Sequence, residues 1–369
     1  MLAEAHPAVR QFLRFCALPY CYFGQIDWRE CRKSRFEVAL DLLHIFFRLR
    51  YYPDNYCPCR LFEKPRADWV YYYGSSYHPW ARHQLRRVVQ PFDWLEFFAD
   101  KATLDAHFRQ HAIPMPRTYA VLDPTGDYRQ LARTALAESG ADRLIMKPVS
   151  GAAGRGICLL IAHPEEPQVQ SRSATMPLPA YSLGERYLLQ EVLTQHESIA
   201  RLYPHSINTV RTLTLLTRSG EPMIISAVMR FGVGGAFVDN WSAGGVAVGV
   251  DPSEGTLMRW AYDKHGRRFA AHPTTGVTFE GTRVPFWGEV IDLSERVQVT
   301  LPDYRLVGLD VAITPAGPKV IEVNGNPDLV FQEQTAGPLL RNRRVLEEFD
   351  RYGLLTNRYQ RALLTPGES

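Results

Sequence analysis

Three oxygen-bearing side chains late in the sequence have the spacing expected of a β-hairpin. Asp310 lies in one apolar run, and Glu322 and Asn324 lie two residues apart in the next, across the proline- and glycine-rich connection Thr314–Pro318. Alternate residues of a strand share a face, so we expect Glu322 and Asn324 to point the same way, with Asp310 beside them if the strands pair. Such oxygen ligands suit Mg²⁺ held jointly with substrate phosphates. An acidic, solvated hairpin is the alternative.

A second group of residues could bind an anion. The segment Lys147–Gly156 combines a lysine with a run of small residues. Glycine adopts backbone dihedrals closed to other residues and lets backbone N–H groups approach an anion, while lysine supplies a point charge. The order differs from a Walker A loop, whose lysine follows the glycines, and from the Rossmann signature. The segment therefore predicts a phosphate-binding loop of another kind, with a mobile hairpin tip as the alternative.

Two arginines are expected to project from β-like runs. Arg211 lies within Thr209–Thr217, and Arg230 lies near the end of Met223–Phe231; both runs partly alternate apolar and polar residues. An arginine in a central strand is costly unless it is paired or binds an anion. Its planar guanidinium group suits a phosphate or carboxylate oxygen.

The elements that must position these residues begin near residue 93. We expect a helix that starts at Asp100, a second over Tyr128–Ser139 that stops at Gly140, and a last one from about Leu339 to Tyr352. The segment His163–Pro179 is polar and is expected to be a surface insertion. Strands are expected at Thr118–Leu122, Leu144–Lys147, Gly156–Ile161, Tyr187–Leu193, Thr209–Thr217 and Met223–Phe231.

The region before residue 93 has a different pattern. Phe36, Ala39 or Leu40, Leu43 and Phe47 recur at helical spacing with charged residues in some of the gaps, which predicts an amphipathic helix, and the aromatic residues of this region are expected in a core and not at a ligand. The aromatic segment Trp69–Gly74 is expected to be a short strand or a loop.

Composition sets limits on the class of protein. A chain of 369 residues should form two or three subdomains, and 46 % hydrophobic with 22 % charged residues is ordinary globular composition. A net charge of +3 does not by itself indicate nucleic acid or membrane. The longest apolar helical run, Val38–Leu49, is interrupted by Asp41 and His44 and is too short to cross a bilayer. We therefore expect a soluble, cytoplasmic protein with neither nucleic acid nor membrane as a partner.

Together these motifs resemble the ATP-grasp superfamily, whose metal-binding strands read Asp…Glu-x-Asn with a following Asn-Pro. The likeness is strongest to the sugar-transfer-associated or glutamate-ligase-like branch, and it spans about Pro91 to Leu340. It implies an α+β ATP-grasp fold with a lid subdomain and an antiparallel-sheet base subdomain, after a mainly helical N-terminal region. The expected boundaries are 1–92 for that region, 93–190 for the lid side and 191–369 for the base.

The resemblance also implies roles for individual residues. ATP and Mg²⁺ are the implied cofactors, with the metal on Asp310, Glu322 and Asn324. Arg211 and Arg230 are implied to be catalytic, and Asp239 and Asn240 belong to a loop on the acceptor-substrate side. The residues implied to contact the nucleotide are Lys101, Lys147, Ser150, Gly151, Gly154 and Gly156 at the phosphates, with Glu191 and His196 at the hinge and ribose.

The reaction implied by the resemblance is ATP-dependent ligation of a carboxylate to an amine through an acyl phosphate. Small-molecule or peptide carboxylates and amines are the implied substrates. A small-molecule kinase and a non-enzymatic ATP-binding protein are the alternatives, since their nucleotide halves have the same sequence features. No Ser/His/Asp or Cys/His signature suggests a side-chain nucleophile.

Overall fold

The computed structural model describes residues 7–74, 85, 87–91, 94–151, 155–171, 174–236, 239, 241, 244–355 and 357–365. Within these ranges, thirteen β-strands form two antiparallel sheets and eleven α-helices pack around them. The α+β prediction is therefore confirmed, as is the helical character of the region near the N-terminus. No helix among the described residues is both long and apolar enough to cross a membrane.

The first sheet has six strands in the order β1-β6-β2-β3-β4-β5. Its strand β2 alternates, so that Leu144 and Met146 face a core while Ile145 and Lys147 lie on the other face. Helix Tyr128–Ser139 covers that core through its alanine and leucine side chains and ends at Gly140, whose φ of 62° is left-handed. The strands are β1 (Thr118–Leu122), β2 (Arg143–Pro148), β3 (Cys158–Ile161), β4 (Gln168–Gln170), β5 (Thr175–Pro177) and β6 (Tyr187–Glu191).

The second sheet has seven strands in the order β11-β10-β9-β8-β7-β12-β13. Its central strands β7 and β12 are buried along their whole length, as expected of strands covered on both faces. The strands are β7 (Thr209–Leu216), β8 (Pro222–Phe231), β9 (Val246–Val250), β10 (Leu257–Tyr262), β11 (Arg268–Phe269), β12 (Leu306–Thr314) and β13 (Gly317–Asn324).

The predicted hairpin is the pair β12 and β13. Thr314 pairs with Gly317 at the turn, so only Pro315 and Ala316 lie between the strands. Gly317 has a φ of 111°, which a residue with a side chain rarely adopts. The turn therefore fixes the register as far as the pair Val311 and Val320, and a β-bulge beyond that pair brings Asp310 opposite Glu322.

The helices frame both sheets. Their bounds are α1 (Pro7–Cys16), α2 (Leu18–Tyr20), α3 (Arg35–His44), α4 (Leu95–Ala99), α5 (Lys101–Gln110), α6 (Tyr128–Ser139), α7 (Glu197–Ala200), α8 (Trp287–Val299), α9 (Leu329–Ala336), α10 (Arg343–Arg351) and α11 (Arg358–Ala362). Helix α5 starts where predicted, because Asp100 caps it by accepting from the backbone N–H of Thr103 at 2.8 Å. Leu104 and Phe108 of α5 belong to the core of the second sheet.

Several sequence predictions were wrong in detail. The segment His163–Pro179 contains β4 and β5, which extend the first sheet at its edge. The aromatic segment around Trp69 forms a 3₁₀ helix over Arg66–Tyr71, not a strand. The last predicted helix is split, because Asn342 caps α10 after a 3₁₀ turn at Leu339–Arg341.

The largest difference concerns α3 and the π-helical turn Ile45–Leu49 that continues it. The residues that recur at helical spacing, Phe36, Leu40, Leu43 and Phe47, are all exposed, although the two aromatic ones were predicted in a core. The helix instead buries Val38, Leu42 and Ile45 among its core partners, on its other side. Both faces are apolar, so the spacing showed a helix but did not show which face lies inward.

The two sheets occupy residues 118–191 and 209–324. The boundaries 1–92, 93–190 and 191–369 stay a prediction, since the packing does not follow them everywhere. Val330 of α9 lies in the same core as the residues of α3, although α9 belongs to the predicted base subdomain.

Candidate active site

Three charged residues form a row across β7, β12 and β13. Arg211 pairs in register with Asp310, and Asp310 pairs in register with Glu322. Directly opposite residues of antiparallel strands share a face, so the row lies on one face of the second sheet. Asn324, two residues beyond Glu322, lies on the same face. Gly308 opposite Asn324 leaves room there, since a Cβ at Gly308 would lie 3.4 Å from Cδ of Arg211.

Asp310 is paired with two arginines. Nη2 of Arg211 donates to Oδ2 of Asp310 at 2.8 Å, and Nε of Arg211 donates to Oδ1. Nη2 of Arg230 donates to Oδ2 at 2.9 Å. Burial would raise the pKa of Asp310, but the two guanidinium groups outweigh it and hold that pKa below its ordinary value. Asp310 is therefore a carboxylate, and its oxygens are already shared between cations.

Arg230 connects this row to Asp239. Nη2 of Arg230 lies 3.2 Å from both Asp239 oxygens, and Thr209 donates its backbone N–H to Asp239 at 3.0 Å. Burial raises the pKa of Asp239 despite the nearby Arg230. Asp239 thus lies in the same network as both predicted catalytic arginines. Asn240, its predicted partner on the acceptor side, lies outside the described residues.

Glu322 has different surroundings from Asp310. Among the described residues its carboxylate accepts no hydrogen bond and forms no ion pair. Burial raises the pKa of Glu322, and the negative charge of Asp310 raises it further. The side chain of Asn324 accepts from the backbone N–H of Asn326 at 2.9 Å through its amide oxygen, which can accept a second bond. Glu322 and Asn324 are therefore the two described residues on this face whose side-chain oxygen atoms remain available to bind a cation.

A cavity of about 420 Å³ borders these donors and receives residues from both sheets. Glu322 and Asn324 line it from β13, Lys147 lines it from β2, and Lys101 lines it from the first turn of α5. The full lining is Phe98, Ala99, Lys101, Leu104, Asp105, Phe108, Met115, Lys147, Gly151, Arg155, Leu188, Gln190, Ile321, Glu322, Val323, Asn324, Gly325 and Asn326.

The two lysines that line this cavity come from different elements of the fold. Lys101 is held by α5 on the core of the second sheet, and its Nζ donates to the carbonyl of Gly151 at 2.6 Å. Lys147 projects from the first sheet, opposite Leu188 of β6. Burial lowers the pKa of Lys147 below its ordinary value, partly countered by the charge of Glu322. The cavity therefore has a cationic side and an acidic side, as binding of a metal–phosphate complex requires.

Strand alternation separates Gln190 from Glu191. Lys147 and Ile145 of β2 pair with Leu188 and Gln190 of β6, and Lys147, Leu188 and Gln190 line the cavity. Glu191 lies on the opposite face, where its carboxylate pairs with Lys319 and accepts from the backbone N–H of Arg117 at 2.9 Å. The structure thus places the predicted nucleotide ligand Glu191 outside the cavity lining and its neighbour Gln190 inside it.

The other predicted nucleotide residues are divided. His196 caps α7 through its Nδ1, which accepts from the backbone N–H of Ser198 at 3.2 Å, and it does not line the cavity. Ser150 is exposed and donates its backbone N–H to Glu185 at 3.3 Å. Gly151 lines the cavity, whereas Gly154 lies outside the described residues.

Gly156 is constrained by its neighbours. It has a φ of 73°, and a Cβ there would lie 2.7 Å from Cγ of Pro148. This close approach fixes the base of the loop between β2 and β3. The roles predicted for all of these residues stay predictions.

Sequence reasoning missed several residues that line the cavity. Phe98 and Asp105 come from α4 and α5, which carry no motif, and Arg155 lies within the glycine loop. Asp105 holds Arg109 at 2.7 Å and Thr118 at 3.0 Å. Of those missed, Gln190 could have been found from the sequence, because it is one residue from Glu191 on the face that Leu188 shares.

Two antiparallel sheets, a lysine-bearing hairpin loop on one and an acidic hairpin on the other, are the arrangement of the ATP-grasp class. A family model described as sugar-transfer associated ATP-grasp matches residues 81–351, which is more than half of the chain. The chain belongs to this family, and the resemblance of its motifs is confirmed. None of the curated proteins compared with the chain matches it.

Solved structures of ATP-grasp proteins and synthetases are similar to the chain. A RimK domain ATP-grasp protein from Sphaerobacter thermophilus is 18 % identical with a TM-score of 0.37, and the match covers 72 % of this chain and 69 % of that one. D-cycloserine synthetase DcsG is 15 % identical with a TM-score of 0.41, over 74 % and 78 % of the chains. D-alanyl-alanine synthetase A from Vibrio cholerae is 14 % identical with a TM-score of 0.42, over 71 % and 65 %.

Proposed function

We propose that the protein is a Mg²⁺- and ATP-dependent ligase that joins a carboxylate to an amine through an acyl phosphate. Membership of the ATP-grasp family supports the use of ATP. The observation that carries the proposal is the cavity itself, in which Lys101 and Lys147 face Glu322 and Asn324. A triphosphate with a bound metal matches both of these sides at once, because its oxygens attract the lysines and its cation attracts the acidic hairpin.

The donor set of the hairpin fits Mg²⁺. Glu322 is a partly buried carboxylate that forms no ion pair among the described residues, which is an unfavourable state that a divalent cation relieves. Glu322 and the second lone pair of the Asn324 amide oxygen are the proposed ligands, and Asp310 joins them if it releases an arginine. When bound, Mg²⁺ neutralises charge that develops on the transferring phosphoryl group.

The remaining residues bind and orient the reactants. Lys147 and Lys101 stabilise the phosphates, and the loop that contains Gly151 and Gly156 covers them. The guanidinium groups of Arg211 and Arg230 lie against Asp310, where they can hold the acceptor carboxylate and then the acyl phosphate. Asp239 fixes Arg230 in place.

The chemistry is balanced without a side-chain nucleophile. A carboxylate oxygen of the first substrate attacks the γ-phosphorus of ATP, so that an acyl phosphate forms and ADP leaves. The amine nitrogen of the second substrate then attacks the acyl carbon. The C–N bond forms, the C–O bond to phosphate breaks, and the nitrogen loses a proton. The protein contributes position and charge stabilisation.

The test is a screen of carboxylate and amine pools for ADP release that requires both substrates, with mass spectrometry of the product. An amide product whose formation is abolished in Glu322→Gln supports the ligase. A phosphorylated product formed without any amine would instead identify a kinase. Nucleotide binding without turnover in any pool would favour an ATP-binding protein without this activity.

A further inference from the structure

The exposed apolar side chains of this protein are concentrated in one region. Nine of the thirteen large apolar side chains that are exposed among the described residues lie between residues 9 and 47. The other four are Val121, Leu131, Val277 and Val299, which are widely separated in sequence. We call the nine the aromatic face, and its members are Val9, Phe12, Phe15, Tyr20, Phe23, Phe36, Leu40, Leu43 and Phe47.

The aromatic face is built on helical geometry. Phe36, Leu40, Leu43 and Phe47 follow one another at intervals of four, three and four residues, which aligns them along one side of α3 and its continuation. The opposite side of the same helix is buried in the core with Trp69. The exposed stripe is therefore additional to the apolar residues that folding requires.

Ring contacts join the stripe to the preceding segments. The rings of Phe15 and Phe47 lie 6.0 Å apart, which connects α1 to the end of the stripe. Tyr22 donates its hydroxyl to the carbonyl of Arg35 at 3.2 Å, which places the segment that carries Phe23 beside the start of the stripe. Phe23 is 80 % exposed and Phe36 is 73 % exposed. A continuous apolar surface of this kind is a binding surface in most soluble proteins.

The exposed charged residues of the segment that carries the aromatic face are mostly basic. Between residues 8 and 50, the exposed arginines are Arg29, Arg32, Arg35, Arg48 and Arg50. The exposed acid among the described side chains of this segment is Glu37, and it is engaged with the backbone N–H of Ser34 at 2.8 Å in a capping box. The other acids there are partly or fully buried, with Asp41 bound by Lys33 and Arg66 and Glu30 bound by Arg60.

We propose that the aromatic face binds the surface of an anionic phospholipid bilayer. Phenylalanine and leucine enter the boundary between headgroups and acyl chains, while arginines at the edge attract acidic headgroups. The helices lie on such a surface and do not span it, in agreement with the absence of a spanning helix among the described residues. This proposal does not depend on the proposed ligase activity.

Charge argues against a second copy of the chain as the occupant. A symmetric contact would place the same patch against itself, so its arginines would face each other. Like charges across an interface oppose association, whereas a bilayer with acidic headgroups supplies the opposite sign. The excess of basic residues in this segment therefore favours lipid.

The experiment is flotation of the full chain with vesicles of phosphatidylcholine alone and with an equimolar mixture of phosphatidylcholine and phosphatidylglycerol. We expect binding to the mixed vesicles that weakens as salt is added, since salt screens the arginines. The double variant Phe23→Ser with Phe36→Ser should bind roughly tenfold more weakly or worse, because two exposed aromatic rings are lost. Both residues are exposed, so melting temperature should be retained.

Matched controls distinguish binding through the aromatic face from non-specific apolar or electrostatic binding to the vesicles. Val277→Ser with Val299→Ser removes exposed apolar side chains elsewhere and should float like the wild type. Arg29→Gln with Arg32→Gln should weaken binding to mixed vesicles, whereas Arg143→Gln with Arg201→Gln should not. Absence of flotation with mixed vesicles would overturn the proposal. A dimer in lipid-free sedimentation that is abolished by Phe23→Ser with Phe36→Ser would overturn it too, and would identify a second copy as the occupant.

Discussion

Asp310 and Glu322 lie directly opposite each other on paired strands, yet their carboxylates have different charged neighbours. Asp310 is surrounded by the guanidinium groups of Arg211 and Arg230, so its charge is balanced within the fold. Glu322 lines the cavity and has no such partner among the described residues. Removal of one charge should therefore have different consequences at the two positions.

Glu322→Gln should leave folding nearly unchanged and reduce Mg²⁺-dependent ADP release by about a hundredfold, because a ligand charge is lost without a broken ion pair. Asp310→Asn should reduce activity and also lower the free energy of unfolding by about 3 kcal/mol, since it leaves the buried Arg211 without its carboxylate partner, while Arg230 keeps Asp239. Urea unfolding and ADP release on the same samples measure both effects.

Glu295→Gln is the matched control, because Glu295 on α8 is also partly buried and burial also raises its pKa. It should change neither quantity substantially. If Glu322→Gln instead lowered stability as much as Asp310→Asn while retaining turnover, the hairpin would be structural and the metal assignment would be wrong.

The residues of the site were predictable to different degrees. Glu322 and Asn324 were found because their spacing and the adjacent turn are local features of the sequence. Arg211 and Asp310 are 99 residues apart in the sequence. Their pairing depends on the register between two strands, which no local pattern specifies. The resemblance implied Glu191 at the hinge, although the face that Lys147 and Leu188 share selects Gln190.

Among the elements, the loop between β2 and β3 lies next to both lysines of the cavity. It follows the strand that carries Lys147, and its Gly151 carbonyl accepts a hydrogen bond from Lys101. Gly151 and Gly156 both have positive φ, but only Gly156 lies against Pro148 and Tyr187; a Cβ at Gly151 meets nothing within 4 Å. Comparison of the two positions therefore separates backbone strain, which is common to both, from the close approach, which is specific to one.

Gly156→Ala should weaken ATP binding more than Gly151→Ala, because its Cβ displaces Pro148 beside Lys147 in addition to the strain of about 1–2 kcal/mol expected at both sites. Calorimetry of ATP·Mg²⁺ binding measures the difference. The same loop should be cleaved more slowly by protease when ATP·Mg²⁺ is present. Equal affinities in the two variants would show that the contact with Pro148 is unimportant for the site.

Helix α9 carries an unusual carboxylate. Glu333 is fully buried and accepts backbone N–H groups from Tyr73 at 2.6 Å, Leu339 at 3.2 Å and Gly74 at 3.4 Å. Burial raises the pKa of Glu333 from 4.5 to about 8, against the opposing effect of these hydrogen bonds. The folded state therefore holds this proton more tightly than the unfolded chain does.

The sign of the resulting pH dependence follows from linkage. The contribution of Glu333 to stability is complete below pH 4.5 and is lost as the pH rises towards and through about 8. Glu333→Gln should therefore flatten the decline in the free energy of unfolding between these values. Urea unfolding at a series of pH values tests this, with exposed Glu280→Gln as the control. A slope unchanged by Glu333→Gln would show that the decline has another origin.

The elements that were misjudged have a common physical cause. The stripe from Phe36 to Phe47 has a clear helical period, but α3 is apolar on two sides and periodicity cannot select between them. Strands β4 and β5 are three residues each and polar in part, so they carry little pattern. Helix α6 has the predicted bounds, because Gly140 marks its C-terminal end, and in the structure Asp127 caps its start.

At the scale of the whole molecule, we expect the first sheet to open more easily than the second. It has its own core, which shares no residue with the core of the second sheet. Backbone hydrogen bonds that join its surroundings to the rest include those from Lys101 to Val149 and from His196 to Ile313. The region before residue 75 is instead tied to the second-sheet side, through Val330 and through Arg60, which donates to the carbonyl of Gly266 at 3.1 Å.

These contacts predict the order in which the parts unfold. Amides of β2, β3 and β6 should open at a lower free energy than those of β7 and β12, and amides of α3 should open together with β7 and β12. Hydrogen exchange followed by mass spectrometry in increasing urea measures all three groups in one experiment. Exchange of α3 well before β7 would instead show that α3 opens separately from the second sheet.

Addition of ATP·Mg²⁺ should raise the opening free energy of the first sheet selectively. The cavity is lined by Lys147 and Gln190 on that sheet and by Glu322 and Asn324 on the other, so a ligand that contacts both must be released before they separate. At a free concentration one hundred times Kd, the gain is about 2.7 kcal/mol. Exchange in α3 serves as the internal reference. Protection confined to the second sheet would mean that the nucleotide does not bridge the cavity, and Lys147 would then have to be removed from the proposed site.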